Sequence, residues 1–162
     1  MTKKRGLLLA LFMAVIVAAD QITKVLVREN IPYGGEVPLI PGVVRLTYTE
    51  NIGAAFSMLG GARWFFLALV VVFFAGVAVL IKRRVISKPA ELWALTAIGG
   101  GALGNAVDRA LFGSVTDMIE PLFIDFAVFN VADCFITCGA IFLVVYVLFF
   151  DGKKEQAIRN KE

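Results

Sequence analysis

"GLLLALFMAVIVAADQITKVLV", Gly6 to Val27, is the run that decides what kind of protein this is. About 20 largely apolar residues are needed to cross the hydrocarbon core of a bilayer, and this stretch has the length and the oiliness. Asp20 and Lys24 interrupt it. The basic Lys3, Lys4 and Arg5 ahead of it, and the small-residue "VAAD" near its end, also give it the outline of a cleavable signal peptide. The apolar pattern continues past Asp20 and more apolar runs follow, so we read it as an uncleaved first span.

The rest of the chain extends that reading. Its 162 residues are 59% hydrophobic, with mean hydropathy +0.83, which excludes an ordinary soluble domain. Spans are expected at about 6–27, 64–81, 92–108 and 130–150, within one membrane domain covering 1–162. Basic residues orient them. Lys3, Lys4 and Arg5, then Lys82, Arg83, Arg84 and Lys88, then Lys153, Lys154, Arg159 and Lys161 make eleven of the 16 Lys and Arg. Asp and Glu have little weight in the positive-inside rule, which puts both termini and the middle loop in the cytoplasm. The segment at about 33–58 faces outward; its Gly34-Gly35, Pro38 and Pro41-Gly42 punctuate a β-branched and aromatic run from Val43 to Thr49. A small β-rich cradle between the first two helices follows. "AAFSMLGGARWFF" then reads as a short interfacial helix or loop, with Trp64 in the aromatic belt.

Histidine is absent, which removes Ser-His and Cys-His catalysis and the usual nitrogen ligands of zinc. Cys134 and Cys138 lie four apart in an apolar run; they read as buried small hydrophobes, and one helical face is a poor place for a disulfide. No metal and no cofactor is expected. Nothing points to a nucleic acid.

Ionisable groups within spans are expensive and mark function. Counted from the cytoplasmic ends at a rise of about 1.5 Å per residue, Asp20 and Asn105 each lie about 21 Å along their helices, and Asp108 about 25 Å. Asp133 opens the fourth helix, and Asp117 falls in the loop before it. The polar groups therefore gather in the outer half of the membrane. Asp20 and Lys24, four apart, suit an intrahelical pair. Asp108 and Arg109 suit a scaffold, with Arg109 reaching headgroups or a carboxylate. "GGGALGN" (Gly99–Asn105) lets another helix approach closely. Asp117 and Asp133 stand in apolar frames, "SVTDMI" and "FNVADCF". Two close carboxylates share a proton, so that one acts as general base and the other as general acid. By spacing alone, a cation site or a proton relay is equally open. Glu120 and Asp125 read as solvated loop residues.

Five stretches together, "DQITK" (Asp20–Lys24), "NIGAAFS" (Asn51–Ser57), "GNAVDR" (Gly104–Arg109), "VTDMI" (Val115–Ile119) and "FNVAD" (Phe129–Asp133), resemble the lipoprotein signal peptidase (signal peptidase II) family, in that family's order and over nearly the whole chain. The resemblance implies a four-helix aspartyl endopeptidase in the bacterial cytoplasmic (inner) membrane, its active site near the outer face. Such an enzyme cuts the signal peptide from a prolipoprotein before its diacylglyceryl-modified cysteine. It implies Asp117 and Asp133 as the catalytic dyad, Asn51, Gly53, Asn105, Arg109 and Asn130 lining or bracing the site, and Asp20 in support. Expected partners are lipidated prolipoproteins and membrane lipids, with the enzyme a monomer. Competing readings are a small proton- or cation-coupled transporter, a non-catalytic assembly factor, and a Ser-Lys peptidase built on Lys24. The apolar inner halves of the spans and the absence of an internal repeat count against the transporter.

Overall fold

The computed structural model describes residues 2–53 and 60–151. The chain runs α1 (Lys3–Asn30), β1 (Glu36–Ile40), β2 (Val44–Asn51), α2 (Arg63–Lys82), α3 (Pro89–Phe112), β3 (Val115–Pro121) and α4 (Val131–Tyr146), with a π-helical turn at Val147–Asp151. Of the expected interfacial segment, residues 54–59 lie outside those described, and Arg63 to Phe66 form the first turn of α2.

Three helical stretches, Lys3–Asn30, Arg63–Lys82 and Val131–Phe150, are long and apolar enough to cross a membrane. They turn apolar side chains outward: Leu11, Val15 and Ile22 on α1, Val71 and Val72 on α2, Ile141 and Val144 on α4 are all exposed. Among the described residues α2 buries no side chain at all. The interior is the polar part, with Asp20, Lys24, Asn105, Asp108 and Asn130 buried. Water would penalise that arrangement twice over, whereas a bilayer rewards it. The protein is a membrane protein.

α3 is the fourth helix and differs from the others. It carries most of the buried helical positions, Gly99, Gly100, Gly101, Gly104, Asn105 and Asp108 among them, and it packs against α1, α2 and α4. The glycines permit this. A Cβ on Gly104 would stand 2.5 Å from Asp20 Oδ2, and one on Gly101 would run into the Ala132 carbonyl oxygen. The run read as a close-approach surface is therefore where α1 and the start of α4 meet α3. Gly113, at φ 84°, takes the left-handed position that ends α3.

The sheet corrects one expectation. The expected β-rich segment holds β1 and β2, paired antiparallel, but β3 adds on the far side of β2, giving the order β1-β2-β3. The cradle is thus not confined to the segment between the first two helices, and Asp117 lies on a strand rather than in a loop. A two-stranded hairpin is marginal by itself, and "VTDMI" is rich enough in β-branched and apolar residues to supply a third strand. In the register Thr49 faces Asp117 and Asn51 faces Val115. Val27 of α1 and Ile31, which caps that helix, pack with Met118 of β3 in a small core beneath the sheet, so the sheet is seated on the end of the first helix.

Candidate active site

Asp117 and Asp133 reach the site from different elements. Asp117 comes from β3 and is only 3% exposed. Asp133 is the third residue of α4 and half-buried. Asn130 joins them. Its side-chain oxygen caps α4 by accepting from Asp133 N (3.0 Å), while Asp133 Oδ2 accepts from Asn130 N (3.2 Å). This reciprocal capping box fixes the Asn130 amide, because the helix N–H can only donate. Its NH2 group must then turn the other way, and it donates to Asp117 Oδ1 at 2.6 Å. The start of the fourth helix thereby sets both carboxylates.

Each aspartate has a further amide donor. Asn51, at the end of β2, donates to Asp117 Oδ2 (3.1 Å), and Asn105 of α3 donates to Asp133 Oδ1 (2.8 Å). Asn51 also accepts from Gly53 N (2.9 Å), and the Gly53 carbonyl accepts from Arg109 Nη2 (2.7 Å). Arg109 stacks on Phe66 with its guanidinium 4.5 Å from the ring centroid. Of the two roles foreseen for Arg109, neither headgroup anchoring nor a carboxylate bridge describes this contact: it ties the chain after β2 to α3 and α2.

The pKa of Asp117 is pushed up to about 6, first by burial and then by the negative charge of Asp133; the Asn130 and Asn51 hydrogen bonds and Lys24 pull the other way. Two amide donors and a cation do not overcome desolvation and a like charge. Both aspartates open on a groove of about 460 Å³, lined by the polar Asn51, Asn105 and Arg109 and by Phe126, Phe129, Ile136 and Cys138 among others. Burial and the nearby charge of Asp133 thus favour the protonated form of Asp117, beside a largely apolar channel.

Beneath the site lies a charge cluster that the sequence only half disclosed. Asp20 and Lys24 do pair within α1 (2.9 Å), but Lys24 also faces Asp108 (3.6 Å) and donates to Asn105 Oδ1 (2.9 Å). Asp108 pairs with Arg28 (3.5 Å) and accepts from Gln21 Nε2 (3.1 Å). Gln21 and Arg28 carried no signal beyond their place on the helix turn that bears Asp20 and Lys24. Asp20 Oδ1 accepts from Ala132 N (3.0 Å) and Asp108 Oδ2 from Thr116 N (2.9 Å).

Three residues depart from expectation. Glu120 is no free loop acid: on β3 it forms a two-pronged pair with Arg45 of β2 (2.7 and 2.8 Å), and the Arg45 hydrogen bond holds its carboxyl below the usual range. Cys138 is exposed and lines the groove, and Cys134 is half-buried, so neither is a fully buried hydrophobe; both are free thiols. Asp125 is exposed in the loop before α4, as read.

A family model described as signal peptidase (SPase) II matches residues 12–149. The chain is 42% identical over 146 residues to the lipoprotein signal peptidase of Brevibacillus brevis, covering 90% of this chain and 97% of that protein. It is 40% identical to the lipoprotein signal peptidase of Streptococcus pyogenes serotype M6, over 88% of this chain and 93% of that one. The fold is similar to that of a bacterial membrane enzyme solved by the in meso method at 2.3 Å resolution, with TM-score 0.81 and 30% identity, covering 86% of this chain and 87% of the other. A second such structure, at 1.9 Å resolution, gives TM-score 0.79 and 29% identity over 88% and 93% of the two chains. An apolar bundle with two carboxylates on one groove, and these likenesses over most of its length, lead to one conclusion: the chain belongs to the signal peptidase II family of aspartic-type peptidases.

Proposed function

We propose that this enzyme removes the signal peptide from diacylglyceryl-modified prolipoproteins, cutting just before the lipidated cysteine, with Asp117 and Asp133 as the catalytic dyad. The observation that carries the reading is the shared Asn130, which donates to both carboxylates at the edge of one groove. Burial and mutual repulsion favour one proton on the pair. In that state the ionised aspartate takes a proton from a water, and the water oxygen bonds to the scissile carbonyl carbon. The protonated aspartate gives its proton to the carbonyl oxygen. The tetrahedral diol then collapses: the C–N bond breaks, the leaving nitrogen takes the proton that the first aspartate received from water, and a diol hydroxyl returns its proton to the other aspartate as the product carboxyl forms, which restores the acid.

In the same proposal residues 1–162 form a single domain whose four helices all cross the bacterial inner membrane, with both termini cytoplasmic and the sheet outside. The polar groups gathered at one end of the bundle support that orientation, as do Lys3, Lys4, Arg5, Lys82, Arg83, Arg84 and Lys88 at the other ends of α1, α2 and α3. The scissile bond of a substrate anchored by acyl chains in the outer leaflet then lies level with the dyad. Asn51, Gly53, Asn105, Arg109 and Asn130 hold the site, Asp20 supports it from α1, and the enzyme works as a monomer with lipid and lipidated prolipoprotein as its partners.

The test uses the full chain in lipid nanodiscs with a synthetic prolipopeptide, with and without the diacylglyceryl group, and mass spectrometry of the products. We expect cleavage only of the lipidated peptide and only at the bond before the modified cysteine. Cleavage elsewhere, equal cleavage of the unlipidated peptide, or none of either, would overturn the proposal.

A further inference from the structure

Lys24 is fully buried, and its ammonium group meets acceptors from two helices: Asp20 Oδ2 at 2.9 Å, Asn105 Oδ1 at 2.9 Å and Asp108 Oδ2 at 3.6 Å. An ammonium group only donates. Asn105 must therefore present its oxygen to Lys24, which leaves its NH2 group to face Asp133 Oδ1 at 2.8 Å. Lys24 shares the Asn105 oxygen with Asn130, whose NH2 group donates to it at 3.1 Å, so losing the cation removes the charged one of the two donors that hold the amide in this sense. The two acids on Lys24 act in parallel. Asp20 accepts from the backbone N–H of Ala132 and Asp108 from that of Thr116. Ala132 immediately precedes Asp133, and Thr116 immediately precedes Asp117.

We propose that Lys24 is a positioning residue for the Asp117–Asp133 pair: through Asn105 it sets the donor on Asp133, and through Asp20 and Asp108 it braces the backbone at both aspartates. This rests on the dyad reading above. An intrahelical pair with Asp20, which the spacing suggests, uses one carboxylate and explains neither the contact with Asn105 nor that with Asp108. A cluster serving only helix packing predicts a loss of folded protein; a positioning role predicts folded protein that turns over slowly.

The experiment measures kcat and KM for a diacylated prolipopeptide with the full chain in nanodiscs. Lys24→Met should lower kcat on the order of 10²-fold, the scale of a small misplacement of reacting groups, with KM little changed. In an Asn105→Ala background the same substitution should cost less, since the part of its effect that passes through that amide is already lost and only the bracing through Asp20 and Asp108 remains. Lys24→Met with Asp108→Asn removes one cation and one anion and keeps an oxygen for the Thr116 N–H. It should fold even if the single variant does not, and kcat should remain low. Wild-type kcat in a folded variant lacking Lys24, or fully additive losses with Asn105→Ala, overturns the proposal. Normal cleavage by Asp117→Asn would instead strike the dyad reading, so the two failures are distinguishable.

Discussion

Asn51 offers a way to move the acid chemistry without touching either aspartate. Its side chain donates to Asp117 Oδ2 at 3.1 Å, and a hydrogen bond to a carboxylate favours the charged form. Removing it should raise the pKa of Asp117, which already stands at about 6. A hydrogen bond to a charged group is worth about 1.5–3 kcal/mol, and one pKa unit is about 1.4 kcal/mol. The Asn51 bond is long, and Asn130 at 2.6 Å still holds the other oxygen, so the lower end applies: a rise of about one unit. Leucine is the substitution of choice, because alanine would admit water and lower the pKa again. The sign follows from the mechanism. Above the apparent pKa of the pair both aspartates are ionised, the general acid is lost and the rate falls. A higher pKa keeps the acid to higher pH. The alkaline midpoint of kcat/KM for Asn51→Leu, measured from pH 5 to 9 on a diacylated prolipopeptide, should therefore lie about one pH unit above that of the wild type, even though the peak rate falls as Gly53 N–H loses its acceptor. An unmoved or lowered midpoint would refute the reasoning.

Other expectations test the frame around the site. Gly104→Ala places a methyl group against Asp20 Oδ2 and should cost about 1–3 kcal/mol through overpacking, seen as a lower unfolding temperature in detergent; an unchanged temperature contradicts the close packing of α1 on α3. Glu120→Gln breaks a partly exposed pair with Arg45 and should cost no more than about 1 kcal/mol, with cleavage nearly unaffected. A total loss of activity would mean that Glu120, rather than one of the dyad, is an essential acid. Cys138 lines the groove and is exposed, so a bulky maleimide should label it and block cleavage, while Cys138→Ala resists the block; labelling without inhibition would remove Cys138 from the substrate's path.

Much of this was legible in the sequence where physics left few choices. Asp20, Lys24, Asn105 and Asp108 fall at one depth because a helix rises steadily, and a bilayer tolerates such groups only when they meet one another. The β-rich segment was visible in its β-branched run from Val43 to Thr49, which became β2, whereas β1 was masked by Pro38, read as a turn residue. β3 was not visible, because "VTDMIEP" is one short run with no hairpin turn of its own, and only its pairing with β2 makes it a strand. The i,i+4 spacing of Asp20 and Lys24 gave a local partner correctly and concealed the distant ones, since the reach of a lysine to Asn105 and Asp108 depends on how closely glycines let α3 approach. Asp117 and Asp133 stood out by their apolar frames. That Asn130 caps a helix with one end of its amide and holds Asp117 with the other depends on where α4 begins.

The most direct test is cleavage by Asp117→Asn and Asp133→Asn, each purified folded in nanodiscs and given the diacylated prolipopeptide. Each substitution keeps the size of the side chain and removes the group that gains and loses the proton. Loss of cleavage in both, with unfolding temperatures near that of the wild type, is the predicted result. Full activity in either one would contradict the dyad.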